Sequence, residues 1–551
     1  MVKRQTANKG KNLTVNFVFA AKHLNKGKID SHLYFFRGFC DLLDPEYCMM
    51  LDIGTKPLAQ SFNKLVAALD SNPHIGGVCG DMDIDLTLDR SLFAYCQYFE
   101  YLISHYIDKC FESLFNNQSV LPGAFSLLRW DAIKGPPVEK FLRGLDHDNL
   151  SLFKTNMFLA EDRIMCWQII VQKVNRESDQ FDELGRLITG KEKEPQGLLY
   201  IPGAGAVTDP PDNPIILIKQ RRRWINGSNA AFWYTIMRLY RMERSDHWFG
   251  QRFFYYLNFL YLLISQLLGF CGSGFFYGAF AILLQTSLDE ESTTWVLNAV
   301  LFVFALLVML SLTLGSKGLN VKVVQTSIYT VLVLFCIINA VLIYMSLYTL
   351  FVRSSGALYY AIIGVFIGTY IFPPLWHDSG KCLRELRGSI LGVLAYILLM
   401  PMYTIIFQVF AYANWCDITW GNREKSEDTG ILDKAKAAAA AKKKKDEIKL
   451  DFKMQRFVLF LLWVVVNSLI GHIMPRYISN GKGVTNALEY FSYAMLWFQG
   501  SKLYGSFLYK FKNWILQAKI RSQIKKNALE WKPDDKSDAQ PPLVPVKAKG
   551  V

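Results

Sequence analysis

The sequence predicts an α/β domain with a mainly parallel sheet, followed by an α-helical domain that crosses a membrane several times. Three observations carry that reading. Met1 to Arg252 reads as ordinary globular sequence, whereas most of Phe253 to Phe507 is apolar runs broken by short polar loops. In the first half, short apolar strands alternate with stretches of helical apolar spacing. In the second half, several runs reach the roughly 20 apolar residues that a span requires. The 551 residues are 51% hydrophobic and 14% aromatic and carry a net charge of +14, which is enough chain for more than one domain.

Leu13 to Ala21 (LTVNFVFAA), Tyr47 to Ile53 (YCMMLDI) and Ile75 to Cys79 read as buried strands, with helical spacing over Ser31 to Leu43 and Pro57 to Leu69. Ligands of such sheets collect where strands end at their carboxyl side, and Asp52 stands at one of those ends. A carboxylate leaving a buried strand into a glycine turn is costly unless a cation meets it. Magnesium or manganese on a diphosphate suits that position, since both ions take hard oxygen ligands. Taken alone, Asp52 is explained equally well as the cap of the following turn. Asp81 and Asp83 in VCGDMDI either add to an acidic site or sit in a loop, the loop being preferred for Asp83.

Glu161, Asp162 and Arg163 in LAEDRIMCW open a helix, where acids also serve the helix dipole. Gln220 to Trp224 (QRRRW) sit on or just before a helix over Ile225 to Arg241. Arginines there suit phosphate, and tryptophan offers a flat face to sugars. A basic stop-transfer flank is the plain alternative, but Gln220 and Trp224 exceed what a flank needs. Val120 to Ala124 (VLPGA) is a loop shaped by Pro122 and Gly123. The ten cysteines stand singly, without a CxxC pair or zinc-ligand spacing, and read as reduced packing residues.

Met1 to Lys11 is basic and polar with no apolar core behind it, so no signal peptide is expected and the first domain stays in the cytosol. Seven stretches are span candidates: Phe253–Leu284, Trp295–Leu314, Gln325–Phe351, Leu358–Trp376, Ile390–Ala413, Phe457–Met474 and Ala487–Leu508. Asp289, Glu290 and Glu291 fall outside and Lys317 and Lys322 inside, as the positive-inside rule requires. A single crossing by Ile390–Ala413 would place the basic stretch Lys434–Lys449 outside. That segment, broken by Pro401 in LLMPMYT, is therefore expected to enter and return or to lie along the interface. Six spans remain, with Lys510–Lys526 inside. Ala435–Lys445 (AKAAAAAKKKK) reads as a solvated linker in preference to a patch for anionic lipid. The expected divisions are 1–213, 214–250, 251–413, 414–454, 455–510 and 511–551.

In order, LDIGTKP, VLPGAFS, LAEDR, QRRRW with INGS behind it, and CDITWGN after several spans resemble the motif series of the chitin synthases, processive enzymes of glycosyltransferase family 2. The likeness covers about residues 12 to 510. Lys22 and SHLYFF (Ser31 to Phe36) are similar to the stretch ahead of the family's metal motif. The resemblance implies a GT-A fold that uses UDP-N-acetylglucosamine and a divalent metal, Mg2+ or Mn2+, to lengthen a β-1,4 chitin chain with inversion. It further implies export of the chain across the plasma membrane, a cytosolic glycosyltransferase domain, a homodimer, the lipid bilayer as surroundings, and no nucleic acid.

By residue, the resemblance implies that Asp52 holds the metal and, with Lys22, Arg221 and Arg223, the donor diphosphate. Asp162 becomes the general base with Glu161 beside it. Gln220, Arg222, Trp224, Val120, Leu121 and Pro122 line the acceptor and product path. The family's domain begins with a further strand and loop that grip uracil and ribose, so an amino-terminally incomplete GT-A domain is expected here. A truncated inactive paralogue acting as a regulatory subunit, and a synthase of another polysaccharide, stay open at this level. A transporter is disfavoured, because the spans lack the intramembrane ionisable residues that mark a substrate path.

Overall fold

The computed structural model describes residues 18–23, 27–145, 150–172, 180–181, 187–188, 195–211, 213–348, 364, 368–377, 386–418, 435–479 and 484–530. Five strands form the main sheet: β1 (Tyr47–Leu51), β2 (Lys56–Pro57), β3 (Ile75–Ile84), β4 (Phe125–Arg129) and, after the small hairpin β5 (Gln180–Phe181) and β6 (Leu187–Ile188), β7 (Gly197–Thr208). Their order is β1-β4-β3-β7-β2.

The α/β domain followed by long apolar helices is as the sequence predicts, but the sheet is mixed and not mainly parallel. Only β3 and β7 pair in parallel; β4 runs antiparallel to both β1 and β3, and β2 antiparallel to β7. The strand β4 (FSLLR) slips between two strands that the sequence suggests as neighbours, and it reverses the direction at both contacts. Of the predicted strand Leu13–Ala21, residues 13–17 lie outside the described residues and 18–21 are irregular. Asp81 and Asp83 lie within β3 and not in a loop.

Glycines set the register where β3 meets β7. A side chain at Gly80 would fall 1.7 Å from the Ala204 carbonyl oxygen, so only glycine permits this approach. The register shifts there, between Cys79 and Asp81, and Gly203 turns with φ 81°. The bulge encloses the Asp81 carboxylate, which accepts hydrogen bonds from the Tyr200 hydroxyl and, at 2.7 Å, from the Gly203 amide.

Among the described residues, four helices are long and apolar enough to cross a membrane: Phe249–Phe270, Glu290–Thr313, Lys322–Tyr348 and Asp451–Ile473. The pair Leu386–Leu398 and Met402–Ala413 adds a fifth if it counts as one span, with a bend of 53°. Pro401 stands at the bend, where a missing N–H and a ring clash interrupt a helix. The first half of this pair lies against the helix Leu92–Ile103 of the sheet domain: a side chain at Gly392 would fall 3.0 Å from Phe99 Cβ and 3.1 Å from the Tyr95 carbonyl. The expected span Phe253–Leu284 divides at Cys271 into Phe249–Phe270 and Gly272–Ser287. Of the candidate Leu358–Trp376, residues 358–363 and 365–367 lie outside the described residues.

The last described helix, Val484–Glu530, runs from the apolar region along the sheet domain. Lys502 pairs with Asp108 at 2.6 Å, and Lys512 donates to the carbonyls of Ser113 and Leu114 and to Asn116 Oδ1. Leu516 and Ile520 enter the core beside Leu65 and Ile201, and Asn527 donates to Asp70 at 2.7 Å. This single rod thereby ties the sheet to the membrane helices.

Candidate active site

Asp52 follows β1 directly. Its backbone N–H donates to the Ala124 carbonyl at 3.2 Å, and a turn through Gly54 (φ 94°) returns the Thr55 N–H to the Asp52 carbonyl at 3.1 Å. The carboxylate is thus delivered beside the VLPGA loop, with its side chain 49% exposed.

Across that loop, the one-turn 3-10 helix Phe158–Ala160 runs into the helix Glu161–Ile170. Glu161 and Asp162 occupy its first turn, where the helix dipole favours negative charge. Asp162 Oδ2 accepts the Gly123 N–H at 2.9 Å, and Glu161 is buried. Lys28 opens the helix Lys28–Leu33 and reaches into the same space, its Nζ 3.5 Å from Asp52 Oδ1 and 3.6 Å from Glu161 Oε1.

Gly123 sits at the centre of this group. A Cβ there would lie 2.9 and 3.1 Å from the Asp162 carboxylate oxygens and 3.0 Å from Lys28 Nζ. Any side chain would stand between the acid and the lysine.

The charges shape one another. Burial alone would lower the Lys28 ammonium, but Asp162, Glu161 and Asp52 outweigh it and hold the group well above the ordinary lysine range, with Arg223 opposing. Burial, and then the neighbouring Asp162 carboxylate, push the Glu161 carboxyl upward, while Lys28 and Arg223 pull it back. Three acids therefore face two cations in a partly enclosed space. Among the described residues no three His, Cys, Asp or Glu side chains are grouped so as to hold a metal by themselves. Asp52, half exposed at the mouth, fits a single hard-oxygen ligand.

Lys28 is the site residue that the sequence reading passes over in favour of Lys22. Lys22 instead donates to the Gly27 carbonyl and to Asp30 Oδ2, each at 3.0 Å, and so braces the entry to the helix that carries Lys28. The VLPGA loop is pinned along its length: Lys109 donates to the Val120 carbonyl at 3.0 Å, and the Leu121 N–H meets Cys166 Sγ at 3.2 Å. The Leu121 side chain is buried in the core, whereas Val120 and Pro122 are half-buried.

The arginine helix begins earlier than expected, at Pro214, capped by the Asn213 side chain on the Ile215 N–H, and it continues to Ile236. Successive residues on a helix point about 100° apart, so the three arginines part company. Arg221 is buried, forms a bidentate pair with Glu100, and lies 4.5 Å from the centroid of Trp224 and 5.7 Å from that of Tyr403. Tyr403, just past the Pro401 bend, donates to the same Glu100 at 2.9 Å. Arg222 is buried on Asp417 in the CDITWGN segment, with Nη1 3.1 Å from Oδ1. The two guanidinia are thus held by Glu100 and by Asp417, each from a different part of the chain. Their partners lie far off in sequence, and helical phase sends them there. Arg223 alone of the three influences Lys28 and Glu161. Gln220 and Trp224 are half-buried.

The arginine helix also sets the position of the acids. A side chain at Gly227, in INGS, would fall 3.0 Å from the Ala160 amide nitrogen and 3.0 Å from Ala160 Cβ, at the turn just before Glu161.

Residues 2–183 and 184–239 match the family described as chitin synthase-like glycosyltransferase domain. Chitin synthase 2 of Mycosarcoma maydis is 29% identical over 452 residues, which is 75% of this chain and 40% of that protein. Chitin synthase C of Aspergillus oryzae is 32% identical over 445 residues, 74% of this chain and 45% of that protein. Chitin synthase 1 of Mycosarcoma maydis is 29% identical over 480 residues, 79% and 48% of the two chains. The chain spans less than half the length of each of these relatives. With Asp52, Glu161 and Asp162 drawn together around Lys28 and the match covering residues 2–239, that part of the chain is a chitin synthase-like glycosyltransferase domain.

Proposed function

We propose that the chain transfers N-acetylglucosamine from UDP-N-acetylglucosamine to the end of a growing β-1,4 chitin chain, with inversion, and passes the product toward its membrane helices. The observation that carries this reading is the meeting of Asp52, Glu161, Asp162 and Lys28 across Gly123, drawn from four separate stretches of the sequence. Direct displacement at an anomeric carbon requires a base on the acceptor hydroxyl and compensation of charge on the departing diphosphate. Asp162 supplies the base, with Glu161 beside it. Lys28, Arg223 and Asp52 serve the diphosphate end.

A divalent cation bound at Asp52 would neutralise charge on the leaving UDP. Lys28 bridges Asp52 and Glu161 and offsets their mutual repulsion until substrate charge arrives. Trp224, Gln220, Val120 and Pro122 shape the acceptor side, and Arg221 and Arg222 fix the helix that presents them. The bent segment around Pro401, joined to Arg221 through Glu100, leads from this site to the apolar helices. The sheet domain lies in the cytosol and the product leaves across the plasma membrane.

Membranes bearing the chain, given labelled UDP-N-acetylglucosamine with Mg2+ or Mn2+, are expected to yield an insoluble labelled product that chitinase degrades. A product resistant to chitinase would assign another polymer, and no incorporation would contradict the reading. Asp52→Ala is expected to weaken metal-dependent UDP binding by roughly ten- to a hundredfold, the scale of one charge-assisted contact. Calorimetric titration with and without the metal measures this. Gly227→Ala is expected to displace the Ala160 turn and lower synthesis by about tenfold or more, since small misplacements near reacting groups are costly, while UDP affinity stays within about threefold of the parent. Initial rates and UDP titrations on the same preparation separate the two effects.

A further inference from the structure

Cys40 and Cys48 are both buried, and their sulfurs lie 3.5 Å apart. Cys40 lies one turn before the end of the helical stretch Lys28–Leu43, and Cys48 lies on β1, four residues before Asp52. The pair therefore bridges the two elements that carry Lys28 and Asp52 to the site. Contact between the sulfurs means that little movement separates two thiols from a disulfide, whose bond is about 2.05 Å long.

We propose that Cys40 and Cys48 form a reversible disulfide when the protein meets a low-molecular-weight disulfide such as glutathione disulfide, and that this bond shifts β1 against the Lys28 helix and weakens the metal–nucleotide end of the site. The Cys40 thiolate attacks one sulfur of glutathione disulfide and releases one glutathione. The Cys48 thiolate then attacks the Cys40 sulfur of the mixed disulfide and releases the second. Two protein thiols are oxidised by two electrons, one glutathione disulfide is reduced to two glutathiones, and the two thiol protons end on those products.

The local structure favours this order of events. Cys40 is followed by Asp41–Leu43, a short exposed helix in which Leu42 and Leu43 are 75% and 69% exposed, so opening one turn bares its sulfur. Their hydrogen bond holds the Cys40 thiol below its ordinary range and, with burial, the Cys48 thiol well above it, so Cys40 attacks first and Cys48 follows once Cys40 is in the mixed disulfide. Other cysteines buried in the sheet domain, Cys79, Cys96, Cys110 and Cys166, remain as thiols for comparison. Closing the bond draws the end of the Lys28 helical stretch toward β1, and the Asp52 carboxylate stands at the end of that strand.

The test oxidises the full-length protein in membranes with glutathione disulfide, blocks remaining thiols with N-ethylmaleimide, and identifies linked peptides by mass. A Cys40–Cys48 peptide lighter by two hydrogens is expected. It should disappear with dithiothreitol, and should be missing in Cys40→Ala and in Cys48→Ala. The wild-type measurement needs no variant, so a misfolded variant does not decide the outcome. Both residues remaining fully alkylated in the folded, oxidised protein would overturn the proposal.

A second arm measures Mg2+–UDP binding, expected to fall by about tenfold or more on oxidation and to recover on reduction, the scale of an ångström-sized displacement. That arm rests on the nucleotide-sugar reading, whereas the peptide arm does not. Absence of binding in the reduced protein would count against that reading, and the peptide arm would still decide the disulfide. A linked peptide with unchanged binding would overturn the regulatory effect.

Discussion

Asp162→Asn is expected to reduce polymer synthesis by about 10²- to 10⁴-fold, the contribution of a positioned general base, while UDP binding stays near that of the parent. The geometry separates the two effects. The asparagine amide oxygen still accepts the Gly123 N–H that Asp162 Oδ2 accepts at 2.9 Å, so the VLPGA loop keeps its anchor. Lys28 retains Asp52 and Glu161 as partners, so the donor end is little changed. The amide cannot take the acceptor proton. Label incorporation under saturating donor, set beside a UDP titration, checks this. Retention of even a tenth of the parent activity would remove Asp162 from the role of base.

Glu100→Ala should produce the largest loss of stability. It strands the buried Arg221 guanidinium between the sheet domain and the Pro401 bend, and removal of one partner from a buried pair costs about 3–5 kcal/mol. One further contact goes with it, because Tyr403 also donates to Glu100. Thermal unfolding in detergent is expected to shift well below the parent. The double variant Glu100→Leu with Arg221→Met should recover most of the loss, since apolar replacement of both members is often neutral or stabilising. An unshifted Glu100→Ala midpoint would show that the pair does not fasten the two regions together.

How much of this was legible in the sequence depends on how local each feature is. Asp52 at a strand end, Glu161 and Asp162 in a first helical turn, and a bend at Pro401 all follow from a few neighbouring residues, and each stands where local rules place it. Strand β7 was hidden because Pro202 and three glycines interrupt an apolar run, and those residues ordinarily argue against a strand interior. Strand β4 is five residues long and its placement between β1 and β3 is a long-range pairing. The arginines were legible as a group but not in their separate roles. Glu100 lies 121 residues from Arg221, and no local pattern joins them. Lys28 was obscured for a similar reason: nothing near it distinguishes it from Lys22 or Lys26, and only the folded turn at Gly123 sets it among the acids.

The account's central claim is that the space around Lys28 is where donor and acceptor meet. Electron cryomicroscopy of the full chain with Mn2+ and UDP-N-acetylglucosamine, using Asp162→Asn to prevent turnover, tests it most directly. The account predicts diphosphate density within hydrogen-bonding reach of Lys28 Nζ, the metal against Asp52, and the anomeric carbon facing the carboxamide at position 162. Nucleotide density bound elsewhere, with Lys28 still holding Asp52 and Glu161 as it does without substrate, would contradict it.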